Sequence, residues 1–170
     1  YGDYDADGIT ATAILWKCLR LLGADVKYYV PNRLEEGYGL QAATIEDLFR
    51  QGVQVIVTVD CGITAVQEVA FAHKKGVQIV VTDHHEPGPE LPQAAAIVHP
   101  RVGSSLFPFP WLSGAGIAFR LAWAIVRRAS SGKRADGRLR DFLVQAVGLA
   151  AIGTVADIVP LWDENRILVH

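Results

Sequence analysis

Two β-branched, almost entirely apolar runs constrain the fold of this chain more than any other feature of its sequence. Residues 53–59 read VQVIVTV and residues 77–82 read VQIVVT. Runs of this kind are typical of strands that are buried on both faces of a parallel sheet. Residues 64–75 between them have a helical pattern, which Gly76 ends. The order strand, helix, strand predicts an α/β domain.

The flanking segments extend this pattern to a doubly wound, mainly parallel sheet flanked by helices. We predict further strands at residues 26–30 and 95–98. Apolar stripes at helical spacing and Gly or Pro stops predict the other helices, which cover residues 9–22, 40–50, 116–129 and 139–152. Residues 103–111 are predicted to form a loop and residues 130–137 a polar surface linker.

The chain has 170 residues, enough for one compact domain, residues 1–170. It begins with a motif rather than with Met, so we expect it to be a fragment of a longer protein. Because no stretch reaches ~18 consecutive apolar residues and no basic-then-apolar leader is visible, we expect a cytoplasmic protein without a membrane segment. Cys18 and Cys61 are interpreted as reduced thiols.

The formal net charge is −2. This balance argues against a stand-alone basic nucleic-acid-binding module. A nucleic-acid substrate would have to be held by metal ions or by local positive groups.

Acidic and imidazole side chains lie at four separate places along the sequence. The four places are Asp3, Asp5 and Asp7 in YGDYDADG, Asp60 after residues 53–59, Asp83-His84-His85 after residues 77–82, and Asp157 in GTVADIVPL. Two of these clusters follow predicted parallel strands directly. Since the carboxyl ends of such strands meet at one edge of a sheet, where ligands bind, we expect these side chains to lie close together.

Crowded carboxylates repel one another unless a cation neutralises them. Mixed Asp and His ligands without Cys suit Mn²⁺ or Mg²⁺, with Zn²⁺ or Co²⁺ as alternatives. The donors are too many for one ion, so we predict a two-metal site of the kind that hydrolyses phosphate esters. Each cluster alone has a plainer interpretation: the alternating acids suit a turn, and Asp60 could be the N-cap of the next helix.

Taken together, these motifs resemble those of the DHH phosphoesterase superfamily. All four occur in order: YGDYDADG, VDCG at residues 59–62, DHH at residues 83–85 and GTVADIVPL at residues 153–161. With SGAGIAFRL at residues 113–121, they resemble the RecJ-type branch of single-strand-specific exonucleases more than the pyrophosphatase or cyclic-dinucleotide branches. The resemblance covers the chain nearly from end to end.

The resemblance implies roles for individual residues. Asp5 and Asp7 would each bind a metal, and Asp60 would bridge the two ions. His84 and Asp157 would complete the second site. The resemblance further implies that His85 contacts the scissile phosphate, and that Asp3 and Asp83 orient the ligands by hydrogen bonding.

The implied reaction is hydrolysis of single-stranded DNA from the 5′ end, with a single-strand-binding protein or a helicase as a candidate partner. The pyrophosphatase relatives have a His where this chain has Tyr1, so the first metal site, built on Asp5 and Asp60, is expected to bind its ion weakly. We expect the second, substrate-gripping domain and the OB-fold of such relatives to be absent from this fragment.

Further substrate contacts are predicted from the residues themselves. Arg33 could pair with a phosphate and Tyr38 could stack on a base, or each could be an ordinary surface residue of a loop. Residues 113–116 at a helix start could offer N–H groups to a phosphate, or could simply allow close helix packing. His99, which precedes Pro100, is interpreted as structural.

Two functional alternatives remain open. One is a phosphoesterase for small substrates such as oligonucleotides or cyclic dinucleotides. The other is a catalytically inactive scaffold of the replication machinery, for which loss of metal ligands would be expected. A nucleotide-binding Rossmann module is disfavoured because no G-x-G-x-x-G follows a strand.

Overall fold

The computed structural model of this chain describes residues 1–103, 107–131 and 135–170. Its elements are, in chain order, α1 (Ala6–Leu21), α2 (Ala42–Arg50), β1 (Val55–Val57), α3 (Val66–Lys74), β2 (Gln78–Thr82), β3 (Ala96–Val98), α4 (Gly114–Ala129), α5 (Gly137–Ala156) and α6 (Asp163–Val169). The predicted helices agree with these bounds to within a few residues. The predicted loop and linker fall partly outside the described residues, at positions 104–106 and 132–134.

The strands form a parallel sheet in the order β1-β2-β3. Beside β1 the N-terminal segment continues the sheet, because Gly2 forms a parallel bridge with Val59. On its other side the Gly2 N–H donates to the carbonyl of Tyr29 at 2.9 Å. The segment that contains Tyr29 therefore lies on one side of the N-terminal segment, and β1 lies on the other side. This change of direction in the strand order creates a topological switch point between the N-terminal segment and β1.

Helices cover both faces of the sheet, as the doubly wound prediction requires. One apolar cluster joins α1, α4 and α5 and includes Ile14, Ala118 and Phe142. The second joins α2 and α3 to the sheet and includes Ile45 and Ile79. Burial of these two clusters supplies the main driving force for folding.

The predicted strand at residues 26–30 is wrong. This segment forms no hydrogen-bonded strand; the carbonyl of Tyr29 accepts a single backbone hydrogen bond, from the N–H of Gly2. Tyr28 is exposed and packs edge-on against Trp16. A β-rich composition alone did not produce a hydrogen-bonded ladder here.

Helix α5 is long and apolar enough to cross a membrane by length and composition alone. The core helix of a water-soluble domain passes the same test. Phe142, Ala146 and Ala150 of α5 are buried against α1 and α4.

Candidate metal centre

The strand register brings the predicted site residues to one edge of the sheet. Thr82 of β2 pairs with Val98 of β3. Just beyond these pairs, the N–H of Asp60 donates to the carbonyl of Thr82 at 3.0 Å, and the N–H of Asp83 donates to the carbonyl of Val98 at 3.2 Å. The residues that follow all three strands therefore lie side by side.

The N-terminal segment delivers its carboxylates to the same edge. Asp5 is the N-cap of α1, and its side chain accepts a hydrogen bond from the N–H of Gly8 at 2.8 Å. Asp7 lies in the first turn of α1 and is 1% exposed. Asp3 precedes the helix, is buried, and accepts a hydrogen bond from the N–H of Tyr4 at 2.8 Å.

The N-terminus of α4 holds the carboxylate of Asp7. The N–H groups of Gly114 and Ala115 donate to its two oxygens at 2.6 and 2.9 Å. A helix N-terminus stabilises a negative charge at this position. The glycine-rich segment 113–116, predicted to bind a phosphate or to allow close packing, thus binds an aspartate of the site itself.

His84 lies at the centre of the acidic cluster. Its Nε2 atom is 3.1 Å from Oδ1 of Asp60, 3.6 Å from Oδ2 of Asp157 and 3.9 Å from Oδ2 of Asp7. Asp157 is the C-cap of α5, so the four side chains come from four different segments of the chain. The structure therefore brings these four predicted residues together.

Two buried atoms in this cluster lack hydrogen-bond partners among the described residues. They are Oδ1 of Asp60 and Nε2 of His84, which lie near each other but do not form a hydrogen bond. Buried polar atoms without partners are rare, because the loss of hydration is not compensated. A carboxylate oxygen and an imidazole nitrogen are ligands that divalent cations accept in proteins. The donor set therefore fits a metal ion.

Across the described residues, three overlapping groups of side chains offer ligand atoms within 4.8 Å of one another. The groups are Asp3, Asp5 and Asp60; Asp7, His84 and Asp157; and Asp60, His84 and His85. The first two groups have no member in common, and Asp60 and His84 link them through the third. Asp3, predicted only to orient ligands, lies within the first group.

Burial perturbs the ionisation of these groups towards their uncharged forms. Burial and the charge of Asp7 raise the pKa of Asp60 to about 10. Burial also raises the pKa of Asp7 and of Asp157. Burial and the neighbouring His85 lower the pKa of His84, which favours the neutral imidazole that ligates metals.

His85 is held in a different way from His84. Its Nδ1 atom lies 2.7 Å from Oδ1 of Asp83 and 3.3 Å from the hydroxyl of Tyr38. The hydrogen bond to Asp83 raises the pKa of His85 to about 9. Burial alone would raise the pKa of Asp83, but the hydrogen bonds from His85 and from the N–H of Ile63 bring it below its ordinary value. Asp83 therefore contacts both the side chain and the backbone N–H of His85, and its role as an orienting residue stays a prediction.

Arg33 is exposed beside the acidic N-terminal segment, whereas Tyr1 is buried in the apolar core. The Arg33 guanidinium stacks at 5.3 Å on the ring of Tyr4, the residue between Asp3 and Asp5, and Arg33 is exposed. Tyr1 is 8% exposed, and its hydroxyl donates to the carbonyl of Gly39 at 2.8 Å. Tyr1 thus belongs to the apolar core rather than to the donor set.

Sequence reasoning missed two close contacts made by glycines. A Cβ atom on Gly114 would lie 2.5 Å from Oδ1 of Asp60, and one on Gly153 would lie 2.3 Å from Oδ1 of Asp7. Asp60 itself has a φ of 61°, a left-handed conformation in which Asp is among the better-tolerated side chains. It is not the N-cap of α3, which begins at Val66. The close approaches of Gly114 to Asp60 and of Gly153 to Asp7 have no local signal in the sequence, because each joins distant segments.

Comparison with known proteins gives concordant matches. The sequence profile of the DHH family, N-terminal domain, matches residues 1–154. The chain is similar to the single-stranded-DNA-specific exonuclease RecJ of Bacillus subtilis (strain 168), with 46% identity over 168 residues that cover 99% of this chain and 20% of that protein. It is also similar to the protein of the same name from Thermus thermophilus, with 43% identity, 99% coverage of this chain and 23% of that protein.

Two solved structures match the fold. A crystal structure of exonuclease RecJ bound to manganese superposes with a TM-score of 0.80 at 40% identity, covering 99% of this chain and 40% of that one. A structure of Thermus thermophilus RecJ in complex with Mn²⁺ gives a TM-score of 0.78 at 38% identity, covering 98% of this chain and 22% of that one. The chain spans between 20% and 30% of the length of the RecJ proteins from Bacillus subtilis and Haemophilus influenzae.

Proposed function

The chain belongs to the DHH family, and from this premise we propose that it is the metal-binding catalytic domain of an exonuclease that hydrolyses phosphodiester bonds in single-stranded DNA. The observation that carries the proposal is the convergence of Asp7, Asp60, His84 and Asp157, with two buried donor atoms left without partners. Similarity to proteins named as single-stranded-DNA-specific exonucleases supports the substrate class.

We propose that two divalent ions, Mn²⁺ or Mg²⁺, bind here. Asp5 and Asp60, with Asp3 within reach, would hold the first ion, and Asp7, His84 and Asp157 the second. Asp60 would bridge the two, which is supported by its place in two of the three donor groups. When bound, such ions lower the pKa of water and stabilise charge on a phosphate. The matched RecJ structures contain manganese, which supports Mn²⁺.

The chain's own residues prepare the site for this chemistry. The α4 N–H groups hold the Asp7 carboxylate in one orientation, so its oxygens are positioned before any ligand arrives. Asp83 and Tyr38 both contact Nδ1 of His85, which leaves its Nε2 atom for a phosphate oxygen. The hydrogen bond with Asp83 raises the pKa of His85, which favours the protonated imidazole and so an anionic substrate at this position.

The remaining assignments extend the same proposal. Arg33 would bind a backbone phosphate, and Tyr38 would contact a base as well as His85. We extend the proposal to degradation in the 5′→3′ direction and to cooperation with a single-strand-binding protein or a helicase, as the family resemblance implies, and to the cytoplasmic location expected from the sequence. The first metal site would be the weaker one, because Tyr1 lies in the core and supplies no ligand to it.

Calorimetric titration of Mn²⁺ into metal-free protein tests the proposal, with Asp60→Ala as the paired variant. We expect one tight and one weak ion in the wild type, and loss of the two-ion pattern together with hydrolysis of single-stranded DNA in the variant. Circular dichroism should show that the variant is folded. Absence of binding at millimolar Mn²⁺ would mean that the carboxylates are structural, and undiminished hydrolysis by Asp60→Ala would remove the mechanism.

A further inference from the structure

The two residues that follow β3 on either side of Pro100 contact the backbone of the His84-His85 pair. His99 is 7% exposed, and its Nε2 atom lies 2.8 Å from the carbonyl oxygen of His85. The guanidinium of Arg101 donates to the carbonyl oxygen of His84. Both carbonyls of the pair are therefore bound by side chains from one short segment.

The tautomer of His99 follows from its second contact. The backbone N–H of Arg101 donates to Nδ1 of His99 at 3.1 Å, so Nδ1 carries no proton. The proton must then be on Nε2, where it is donated to the carbonyl of His85. The residue before a proline favours an extended backbone, which suits His99 at the end of β3. The donor and the acceptor are therefore assigned for both hydrogen bonds, from Arg101 to His99 and from His99 to His85.

Arg101 is itself fixed on two further sides. Its guanidinium donates to Oε2 of Glu86 at 2.8 Å and lies 5.7 Å from the centre of the Trp111 ring. Glu86 is 81% exposed, so that ion pair alone contributes little. The planar guanidinium instead serves as a rigid bridge between the segment after β3 and the loop after β2, a geometry that a lysine cannot reproduce.

We propose that His99 and Arg101 are positioning residues for the metal centre, acting through the backbone of His84 and His85. These hydrogen bonds restrain the rotation of the two peptide planes that follow His84 and His85. His84 then keeps its Nε2 atom towards Asp60, Asp157 and Asp7, and His85 keeps its Nδ1 atom on Asp83. This inference rests on the proposed metal centre, and it gives His99 and Arg101 a part in that centre beyond the structural role predicted for His99.

Mn²⁺ affinity measured by calorimetry distinguishes this role from a merely structural one. Loss of such supporting hydrogen bonds typically weakens metal binding about 10–100-fold. We expect that weakening in Arg101→Ala and in His99→Phe. Phenylalanine keeps an aromatic ring at position 99 but removes the hydrogen bonds with the carbonyl of His85 and the N–H of Arg101. Hydrolysis should fall at limiting Mn²⁺ and return to within a few-fold of wild type at saturating Mn²⁺. His99→Gln, whose amide can still donate to the carbonyl of His85, should recover most of the affinity.

Arg50→Ala is the matched control, since Arg50 is an exposed arginine paired with Glu46 on α2 and should leave Mn²⁺ affinity unchanged. If Arg101→Ala does not fold, Arg101→Lys should fold and bind Mn²⁺ with intermediate affinity. Wild-type Mn²⁺ affinity in folded His99→Phe and Arg101→Ala would overturn the inference. So would unchanged Mn²⁺ affinity with a raised KM for DNA, which would place Arg101 on the substrate. Failure of the wild type to bind Mn²⁺ would instead refute the proposed function.

Discussion

Gly153 of α5 tests how tightly the metal centre is packed. It faces the first turn of α1, where a Cβ atom would lie 2.3 Å from Oδ1 of Asp7, 2.5 Å from Cβ of Ala115 and 2.7 Å from Oγ1 of Thr10. Real Cβ atoms essentially never approach other atoms this closely. We predict that Gly153→Ala damages the centre because Asp7 and Ala115 must both move.

The size of the effect follows from these distances. Restoring an ordinary contact of 3.4 Å from 2.3 Å requires a shift of about 1 Å. Such overpacking destabilises a protein by roughly 1–3 kcal/mol, against a gain of about 1 kcal/mol from replacing Gly by Ala in a helix. The functional loss should be larger, since a misplacement of about 1 Å can reduce turnover by about 100-fold.

Gly148→Ala is the matched control on the same helix, because nothing lies within 4 Å of a Cβ atom at that position. It should raise Tm by about 2–4 °C, the shift expected for ~1 kcal/mol in a chain of this size, with no change in Mn²⁺ affinity. Thermal unfolding in EDTA, Mn²⁺ calorimetry and hydrolysis of single-stranded DNA should be measured on both variants. Wild-type Mn²⁺ affinity and activity in Gly153→Ala would refute the reasoning, because Asp7 would then tolerate the displacement.

Two further predictions concern charge. Because the folded pKa of Asp60, about 10, lies above its unfolded value, the metal-free protein should lose stability as pH rises from about 4. Asp60→Asn should flatten this dependence and raise Tm in EDTA at pH 7, and an unchanged pH profile of Tm would contradict the assigned burial. Arg33→Ala should raise KM for single-stranded DNA with little change in kcat or Mn²⁺ affinity, with Arg50→Ala as the control. An unchanged KM would leave Arg33 as a surface partner of Tyr4.

The parallel sheet was predictable because its signal is local and redundant. The β-branched composition of β1 and β2 is typical of strands in a parallel sheet, but the predicted burial on both faces holds only in part, since Val55 is 50% exposed. The proximity of Asp60 to His84 then follows from the rule that carboxyl ends share an edge. Residues 26–30 have a similar composition but do not form a strand, since pairing depends on which backbone lies alongside.

The details of the centre were less predictable because they depend on contacts between distant segments. The sequence indicates that Gly114 starts or precedes a helix, but not that its N–H binds Asp7, 107 residues earlier. The sequence likewise has no local pattern that predicts the left-handed backbone of Asp60 or the hydrogen bond from Arg101 to the carbonyl of His84. Such features become visible only when the segments are packed together.

The acidic side chains of the metal centre give a reason for the arrangement of the elements around it. Asp7, Asp60 and Asp157 are attached to α1, to the end of β1 and to the end of α5, and burial disfavours the charge of each. A divalent ion that satisfies them would link α1 and α5, which pack in the first apolar cluster, to the end of β1, which has residues in both clusters. Metal binding should therefore stabilise the packing of these helices against the sheet, and stabilisation by a ligand that binds only the folded state grows with its concentration.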